Sequence, residues 1–197
     1  MNKVKTVLFF AALALFSTPA VAALKPGDTA PLFTALASLG GKQFSFALAD
    51  ALKQGPVVLY FYPAAFTKGC TLEAHAFAEA TDKYKALGAT VIGISHDDIA
   101  TLDKFSVSEC RSKFAVAADQ DGAIMKSYDS QLISHLGYAA RVSYVITPDD
   151  KILYAARVSY VITPDDKILY AYEAMSPDDH VANTLQALTG WRAKNPK

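Results

Sequence analysis

Pro56-Val57-Val58-Leu59-Tyr60-Phe61-Tyr62-Pro63-Ala64-Ala65-Phe66-Thr67-Lys68-Gly69-Cys70-Thr71-Leu72-Glu73 joins two hydrophobic patterns within one short stretch. The continuous β-prone run from Val57 to Tyr62, closed by Pro63, reads as a central strand buried on both faces. From residue 71 to 87 the pattern changes. Leu72, Ala76, Phe77, Ala80, Tyr84 and Leu87 recur at three- and four-residue spacings, and Gly88 stands where a helix stops, so this segment reads as an amphipathic helix. Working outward, Val91-Ile92-Gly93-Ile94-Ser95 is a second short strand, a helical stretch runs from about Asp98 to Lys113, and Phe114 to Ala118 is a third strand. Strand and helix alternating through short connections imply parallel pairing with right-handed crossovers, hence an α/β fold with its sheet between helix layers. Further on, Val158 to Ile162, the turn residues Thr163-Pro164-Asp165-Asp166, and Lys167 to Tyr172 read as an antiparallel hairpin. Ser176 as cap, Pro177 in the first helical position, and Asp178 and Asp179 at the positive end of the dipole open a last helix, expected to reach about Trp191.

The 197 residues suit one domain, since a single core commonly serves about 100 to 200 residues. Apolar residues make up 52% and charged residues 19%, so there is a core to build and no compositional reason for disorder. Lysine plus arginine equals aspartate plus glutamate at 19 each. With no basic surplus to neutralise a phosphate backbone, nucleic acid is not expected as a partner. Lys3 and Lys5, the apolar run from Val7 to Phe16, and Ala20-Val21-Ala22 supply the three parts of an export signal, with cleavage after Ala22. That run is shorter than the roughly 20 residues that span a bilayer, so a retained anchor is the weaker alternative. The expected mature domain is 23–197, periplasmic or secreted, in an oxidising compartment and with no stable membrane association.

One feature is abnormal: Tyr138 to Leu153, YAARVSYVITPDDKIL, is repeated letter for letter as Tyr154 to Leu169, a unit of 16 residues (154 minus 138). Two copies are too few for a solenoid, so 138–153 and 154–169 read as a local duplication. A domain needs this hairpin once. The surplus copy is expected to be looped out, added as an extra hairpin, or inserted at a hairpin tip, which closure entropy tolerates because it grows only logarithmically with length. The cost would lie in Val142, Tyr144, Ile146, Ile152 and Leu153, left without cover on an edge prone to association.

Chemistry concentrates at Cys70, placed at the start of a helix running from Thr71. The thiolate is the nucleophile, and the unpaired amides and dipole of a helix N-terminus favour an anion, so Cys70 is expected to ionise more readily than an ordinary thiol. Thr67, three residues earlier, can bring its hydroxyl beside the sulfur. Pro63 removes a backbone donor, ends the strand and shields the pocket from water. Only one other cysteine exists, Cys110. By count alone, a structural disulfide between the two, stabilising by about 2 to 4 kcal/mol, is an equally good explanation.

The segment LYFYPAAFTKGCTLE resembles the PxxxTxxC active-site signature of the peroxiredoxins, and Gly27-Asp28-Thr29-Ala30-Pro31-Leu32-Phe33 resembles that family's GDxAPxF opening. The resemblance covers nearly all of residues 24 to 191. It implies a thioredoxin-like fold, a central mixed sheet flanked by helices, with Cys70 reducing hydrogen peroxide or alkyl hydroperoxides and no metal or organic cofactor. It also implies an arginine at the start of a late strand, pairing with the thiolate and polarising the peroxide. The duplication supplies that arginine twice, as Arg141 and Arg157. Arg157 is favoured, because it adjoins the hairpin that leads into the last helix and would demote the first copy to an insertion. Glu73 resembles the family's glutamate that orients this arginine, and reads equally well as an ordinary first-turn acid.

Attack by Cys70 would give a sulfenic acid, which a second thiol traps as a disulfide. The chain looks most similar to the bacterioferritin comigratory, or Q-type, branch. Many members of that branch resolve from five residues after the attacking cysteine, where this sequence has His75. Cys110, 40 residues downstream (110 minus 70) on or near the end of the next helix, resembles the resolving cysteine of other members, and bridging it to Cys70 requires local unwinding. Recycling would fall to a thioredoxin-like or glutaredoxin-like reductant. Two other readings stand beside this one: a thioredoxin-type disulfide exchanger, for which the CxxC motif is missing, and a non-catalytic binding domain stapled by one disulfide.

Overall fold

Val57–Phe61 is buried along its whole length, and its alternate side chains feed two separate apolar cores. In the computed structural model the described residues are 24–131, 137–158, 160–162, 168–171 and 177–196, with the backbone alone described within 154–178. The elements in chain order are β1 (Thr34–Leu39), β2 (Lys42–Ala47), α1 (Leu48–Leu52), β3 (Val57–Phe61), α2 (Lys68–Ala86), β4 (Thr90–Ser95) and α3 (Ile99–Ser108). They continue with β5 (Ala115–Ala118), α4 (Ala123–Ser127), β6 (Arg141–Ile146), β7 (Ile152–Val158), β8 (Tyr160–Ile162), β9 (Ile168–Ala171) and α5 (Pro177–Lys194). Seven strands form one sheet in the order β2-β1-β5-β4-β3-β6-β7. The β3, β4 and β5 strands are parallel and the remaining neighbours antiparallel. This is the α/β class expected, with the sheet mixed.

On one face Val57, Leu59 and Phe61 pack with α1 and α4 through Leu48, Leu52, Met125 and Tyr128. On the other, Val58, Tyr60 and Tyr62 meet α2, α3 and α5. Here Tyr60 stacks on Phe77 at a centroid distance of 4.5 Å and on Tyr62 at 5.4 Å. Each such aromatic pair adds about 0.5 to 1.5 kcal/mol beyond the area it buries. The expected stop at Gly88 is a Schellman cap: Gly88 is left-handed at φ 72°, its N–H reaches Lys85 O (2.9 Å), and the Ala89 N–H reaches Tyr84 O (2.9 Å). The α3 helix ends earlier than its pattern suggests, because Arg111 and Ser112 both take left-handed backbone at φ 51° and 54°. No described helix is long and apolar enough to cross a membrane, and the expected export signal at 1–22 lies outside the described residues.

Of the outcomes expected for the duplication, the structure shows the added hairpin, with the roles of the two copies exchanged. The first copy is not an insertion. It supplies β6, buried along its length between β3 and β7. The β7 strand is then built from the end of the first copy and the start of the second. Val142, Tyr144 and Ile146 are therefore covered inside the sheet, Ile152 is buried although β7 is the edge strand, and Leu153 is half-buried. The remainder of the second copy, together with Tyr170 and Ala171 that follow it, forms the separate β8–β9 hairpin, the expected turn of which lies outside the described residues. Both hairpins use one register: Tyr144↔Ala155, Val145↔Tyr154 and Ile146↔Ile152 recur sixteen positions later as Tyr160↔Ala171, Val161↔Tyr170 and Ile162↔Ile168.

The tight point of the core is Gly93, cross-strand from Tyr60, where an added Cβ would lie 2.7 to 2.8 Å from three atoms of the tyrosine side chain. Gly93→Ala is expected to destabilise the fold by about 1 to 3 kcal/mol through overpacking. Urea unfolding checks it, and a wild-type midpoint would show that the Tyr60 stack yields without cost.

Candidate active site

The segment between β3 and α2 is held by its backbone. Tyr62 N–H donates to Ile94 O (3.1 Å), and Ala65 N–H donates to Asp97 Oδ2 (2.8 Å), which also accepts from Ser95 Oγ (2.7 Å). Phe66 then turns left-handed at φ 63°, Thr67 takes the extended cap position, and the first helical bond runs from Thr71 N–H to Thr67 O (2.9 Å). The helix thus starts three residues earlier than its apolar pattern, and Cys70 sits inside its first turn, where the amides have no intrahelical partner. Thr67 does not reach the sulfur here, as its Oγ1 donates to Ala64 O (3.0 Å). Pro63 is half-buried just beyond the strand. Cys70 itself is 1% exposed.

Strand alternation sends Arg141 and Ser143 of β6 to the α2 and α5 side, while Val142 and Tyr144 enter the opposite core. Arg141 Nη2 donates to Cys70 Sγ at 3.3 Å, and Nη1 donates to Glu73 Oε2. The approach depends on Gly69, where a Cβ would stand 3.2 Å from Nη2. The guanidinium facing Cys70 is therefore that of Arg141, which corrects the preference for Arg157. The first copy is held in the β6 slot at its entry by the Ala140 N–H to Ser130 O bond (2.6 Å) and the Gln131↔Ala139 bridge. The backbone of Arg157 pairs with Val142 on the neighbouring strand, and its side chain lies outside the described residues.

Behind Arg141 the site continues inward. Glu73 is fully buried, and that burial pushes its carboxyl up to about 7 against the pull of the Arg141 charge and hydrogen bond. His180 of α5, also fully buried, places Nδ1 2.6 Å from Ser143 Oγ and 3.8 Å from Glu73 Oε1. Burial first, then the charge of Arg141, lowers its pKa to about 4, so the ring is neutral at ordinary pH. The sequence reading missed Gly69, Ser143 and His180. The Arg-x-Ser spacing was a readable sign that two polar groups share a strand face, but nothing before the fold linked them to residue 180.

Cys110 is buried one position beyond Glu109, the C-cap of α3, and its N–H bonds Phe105 O (3.0 Å). Burial and the neighbouring Glu109 raise its thiol pKa. The flanking residues are tied to α2: Glu109 Oε2 lies 2.8 Å from His75 Nε2, and Arg111 Nη1 donates to Glu79 Oε1 (3.1 Å). His75 is thus turned to Glu109 rather than to Cys70. The two cysteines are separate thiols in this structure. Among the described residues no group of three or more His, Cys, Asp or Glu is placed to hold a metal ion.

A buried thiol in the first turn of the helix that leaves a central strand, faced by a guanidinium from the adjacent antiparallel strand, marks a thioredoxin-like α/β protein with the peroxiredoxin fold. The chain belongs to the AhpC/TSA family, whose model matches residues 26–171. It is similar to a chloroplastic peroxiredoxin Q of Triticum aestivum, 42% identical over 102 residues, a match covering 52% of this chain and 45% of that protein. The chain thus spans less than half the length of that plant relative. A putative peroxiredoxin of Mycobacterium tuberculosis is 33% identical over 132 residues, covering 66% of this chain and 83% of the relative. The crystal structure of the peroxidoxin BcpB from Mycobacterium tuberculosis superposes with a TM-score of 0.71 at 28% identity, covering 85% of this chain and 97% of that one.

The opposite shifts of Glu73 and His180 make a testable pair. Between about pH 4.5 and 6.5 the folded chain carries one proton on Glu73 and the unfolded chain one on His180, so the two contribute almost no net slope. Glu73→Gln leaves the histidine alone, and stability should then rise by about 3 kcal/mol from pH 4 to 6.5. His180→Asn leaves the carboxyl alone, and stability should fall by about 3 kcal/mol from pH 4.5 to 7. Urea unfolding across that range, each variant compared with wild type, reads both slopes. Slopes of one sign in the two variants would contradict the assignment.

Proposed function

We propose that the chain is a thiol-dependent peroxidase, exported as 23–197 after removal of 1–22, and of the Q-type branch. The observation that carries this reading is the Arg141 Nη2 contact with Cys70 Sγ at 3.3 Å in the first turn of α2. A fixed guanidinium beside a sulfur can stabilise the thiolate and then the charge that develops on a peroxide oxygen. The Cys70 thiolate attacks one oxygen of hydrogen peroxide or an alkyl hydroperoxide. The S–O bond forms as the O–O bond breaks, and the departing oxygen takes a proton and leaves as water or alcohol. Cys70 is then a sulfenic acid, two electrons more oxidised. Thr67, after its hydroxyl swings from Ala64 O, would hydrogen-bond the peroxide. Pro63 keeps the pocket dry, and Glu73 holds Arg141.

Cys110 would attack the sulfenic sulfur, releasing water and forming a Cys70–Cys110 disulfide that a thioredoxin-like or glutaredoxin-like dithiol reduces. Burial that raises the Cys110 thiol pKa favours a resting thiol that becomes nucleophilic only when its surroundings open. The left-handed pair Arg111 and Ser112 is a natural place for that opening.

Stoichiometric hydrogen peroxide should consume the Cys70 thiol within seconds in stopped flow. Arg141→Ala should slow that step by about 100-fold or more, with Arg157→Ala unchanged. An unreactive wild-type thiol would reject the peroxidase reading, and equal losses in the two variants would reject the choice of arginine. Cys110→Ser should complete the first turnover and accumulate a dimedone-reactive sulfenic acid on Cys70. Sustained turnover of that variant with a dithiol reductant would remove Cys110 from the cycle.

A further inference from the structure

We propose that His180 is a positioning residue for Cys70, acting from the last helix through Ser143 and the inner face of Glu73 to keep the Arg141 guanidinium against the sulfur. The inference rests on the peroxidase reading and adds to it a residue outside the segment that carries the nucleophile. An imidazole that is 0% exposed must be repaid by a partner. Its Nδ1 is partnered by Ser143 Oγ at 2.6 Å, two residues along β6 from Arg141 and on the same strand face, while Nε2 makes no hydrogen bond among the described residues, so the ring depends on Ser143 alone for its hydrogen bond. The ring therefore grips the arginine's strand one pleat away from the arginine.

The same ring covers Glu73 Oε1, which makes no hydrogen bond among the described residues, at 3.8 Å. The other oxygen, Oε2, accepts from Arg141. The groups facing the ring are Glu73 of α2, Arg141 and Ser143 of β6, and its neighbour Asp179 on α5. A charged ring here would compete with Arg141 for the carboxylate; the neutral ring fills the space without competing. Its height is fixed by how α5 docks on α2. One turn on, Thr184 Oγ1 donates to His180 O (2.6 Å) and lies 2.7 Å from the Tyr84 hydroxyl, and near the far end Arg192 Nη2 donates to Leu87 O (2.6 Å).

The test uses the full chain with Cys110→Ser, so that one thiol reports, and adds His180→Phe, His180→Asn, Ser143→Ala and the double variant His180→Phe with Ser143→Ala. Two rates are read: Cys70 oxidation by hydrogen peroxide, and Cys70 alkylation by iodoacetamide, which involves no peroxide. His180→Phe should slow both by about tenfold. His180→Asn, which restores a polar atom near Nδ1, should recover most of the loss, and the double variant should be no slower than the worse single one. A folded His180→Phe chain reacting at the parent rate, or His180→Asn as slow as His180→Phe, would overturn the proposal. If the parent ignores peroxide while its alkylation still depends on His180, the peroxidase reading fails and the positioning role stands.

Discussion

A guanidinium only 4% exposed, placed between a carboxylate and a sulfur, sets the terms for the rest of this molecule. Desolvating such a cation costs several kcal/mol, and the cost is offset only where anionic or hydrogen-bonding partners converge with good geometry. Arg141 needs two of them, and both come from α2: Cys70 in its first turn and Glu73 three residues on, one turn apart on one helix face. That requirement ties β6 to the start of α2, and α2 starts where β3 ends. The antiparallel pairing of β3 with β6, Phe61 opposite Val142, brings the beginning of one strand beside the end of the other. The site is a consequence of sheet order.

The charge balance inside the site follows from the same burial. Glu73 is shared between Arg141 on one oxygen and a neutral imidazole on the other. Protonation of that carboxyl removes the negative charge Arg141 faces on this side, and ionisation restores it. With its carboxyl near 7, Glu73 changes charge beside Arg141 in the ordinary pH range. The last helix therefore does more than cover the sheet, since His180 lines the inner wall of this charge cluster.

The sequence made β3, the helix behind it and the position of Cys70 legible because a fully buried strand and an amphipathic helix leave unmistakable periods, six apolar residues in a row and then three- and four-residue spacings. The same period mislaid the helix start, because Lys68 and Gly69 carry no apolar signal and the cap is set by backbone at Phe66 and Thr67. The β1–β2 hairpin went unread although its turn was visible: Gly40 and Gly41 take φ 58° and 76°, the two left-handed positions of a tight hairpin. Its strands, TALASL and KQFSFA, hold one β-branched residue, Thr34, and dilute Phe44 and Phe46 with Ala and Ser, so they carry too little β-propensity to stand out. In the candidate site, Cys70, Glu73 and an arginine could be named from the letters. Gly69 and His180 could not, since one matters for the atom it lacks and the other for a helix that docks 110 positions downstream of Cys70 (180 minus 70).

The duplication separates local from tertiary information with unusual clarity, because two identical strings share one chain and meet different surroundings. Both fold into a hairpin with the same pairs and the same irregularity before Ile146 and Ile162. In the first copy the turn is closed by Thr147 N–H to Lys151 O (2.8 Å), the Thr147 side chain bonded to Asp149 (2.5 Å), and Asp150 left-handed at φ 61°. Register is thus a property of the string itself. Which hairpin joins the seven-stranded sheet is not, since the letters are equal. What distinguishes the first copy is its tertiary anchoring: Ala140 N–H bonds Ser130 O, and Gly27, Asp28 and Ala30 bond the backbone of Asp150 and Ile152. Each copy ends in Ile-Leu and is followed by Tyr-Ala, giving Ile152 to Ala155 and Ile168 to Ala171, so the return strand of each hairpin begins with the same four residues. The arginine that faces Cys70 therefore comes from the first copy, for a reason no local pattern could carry.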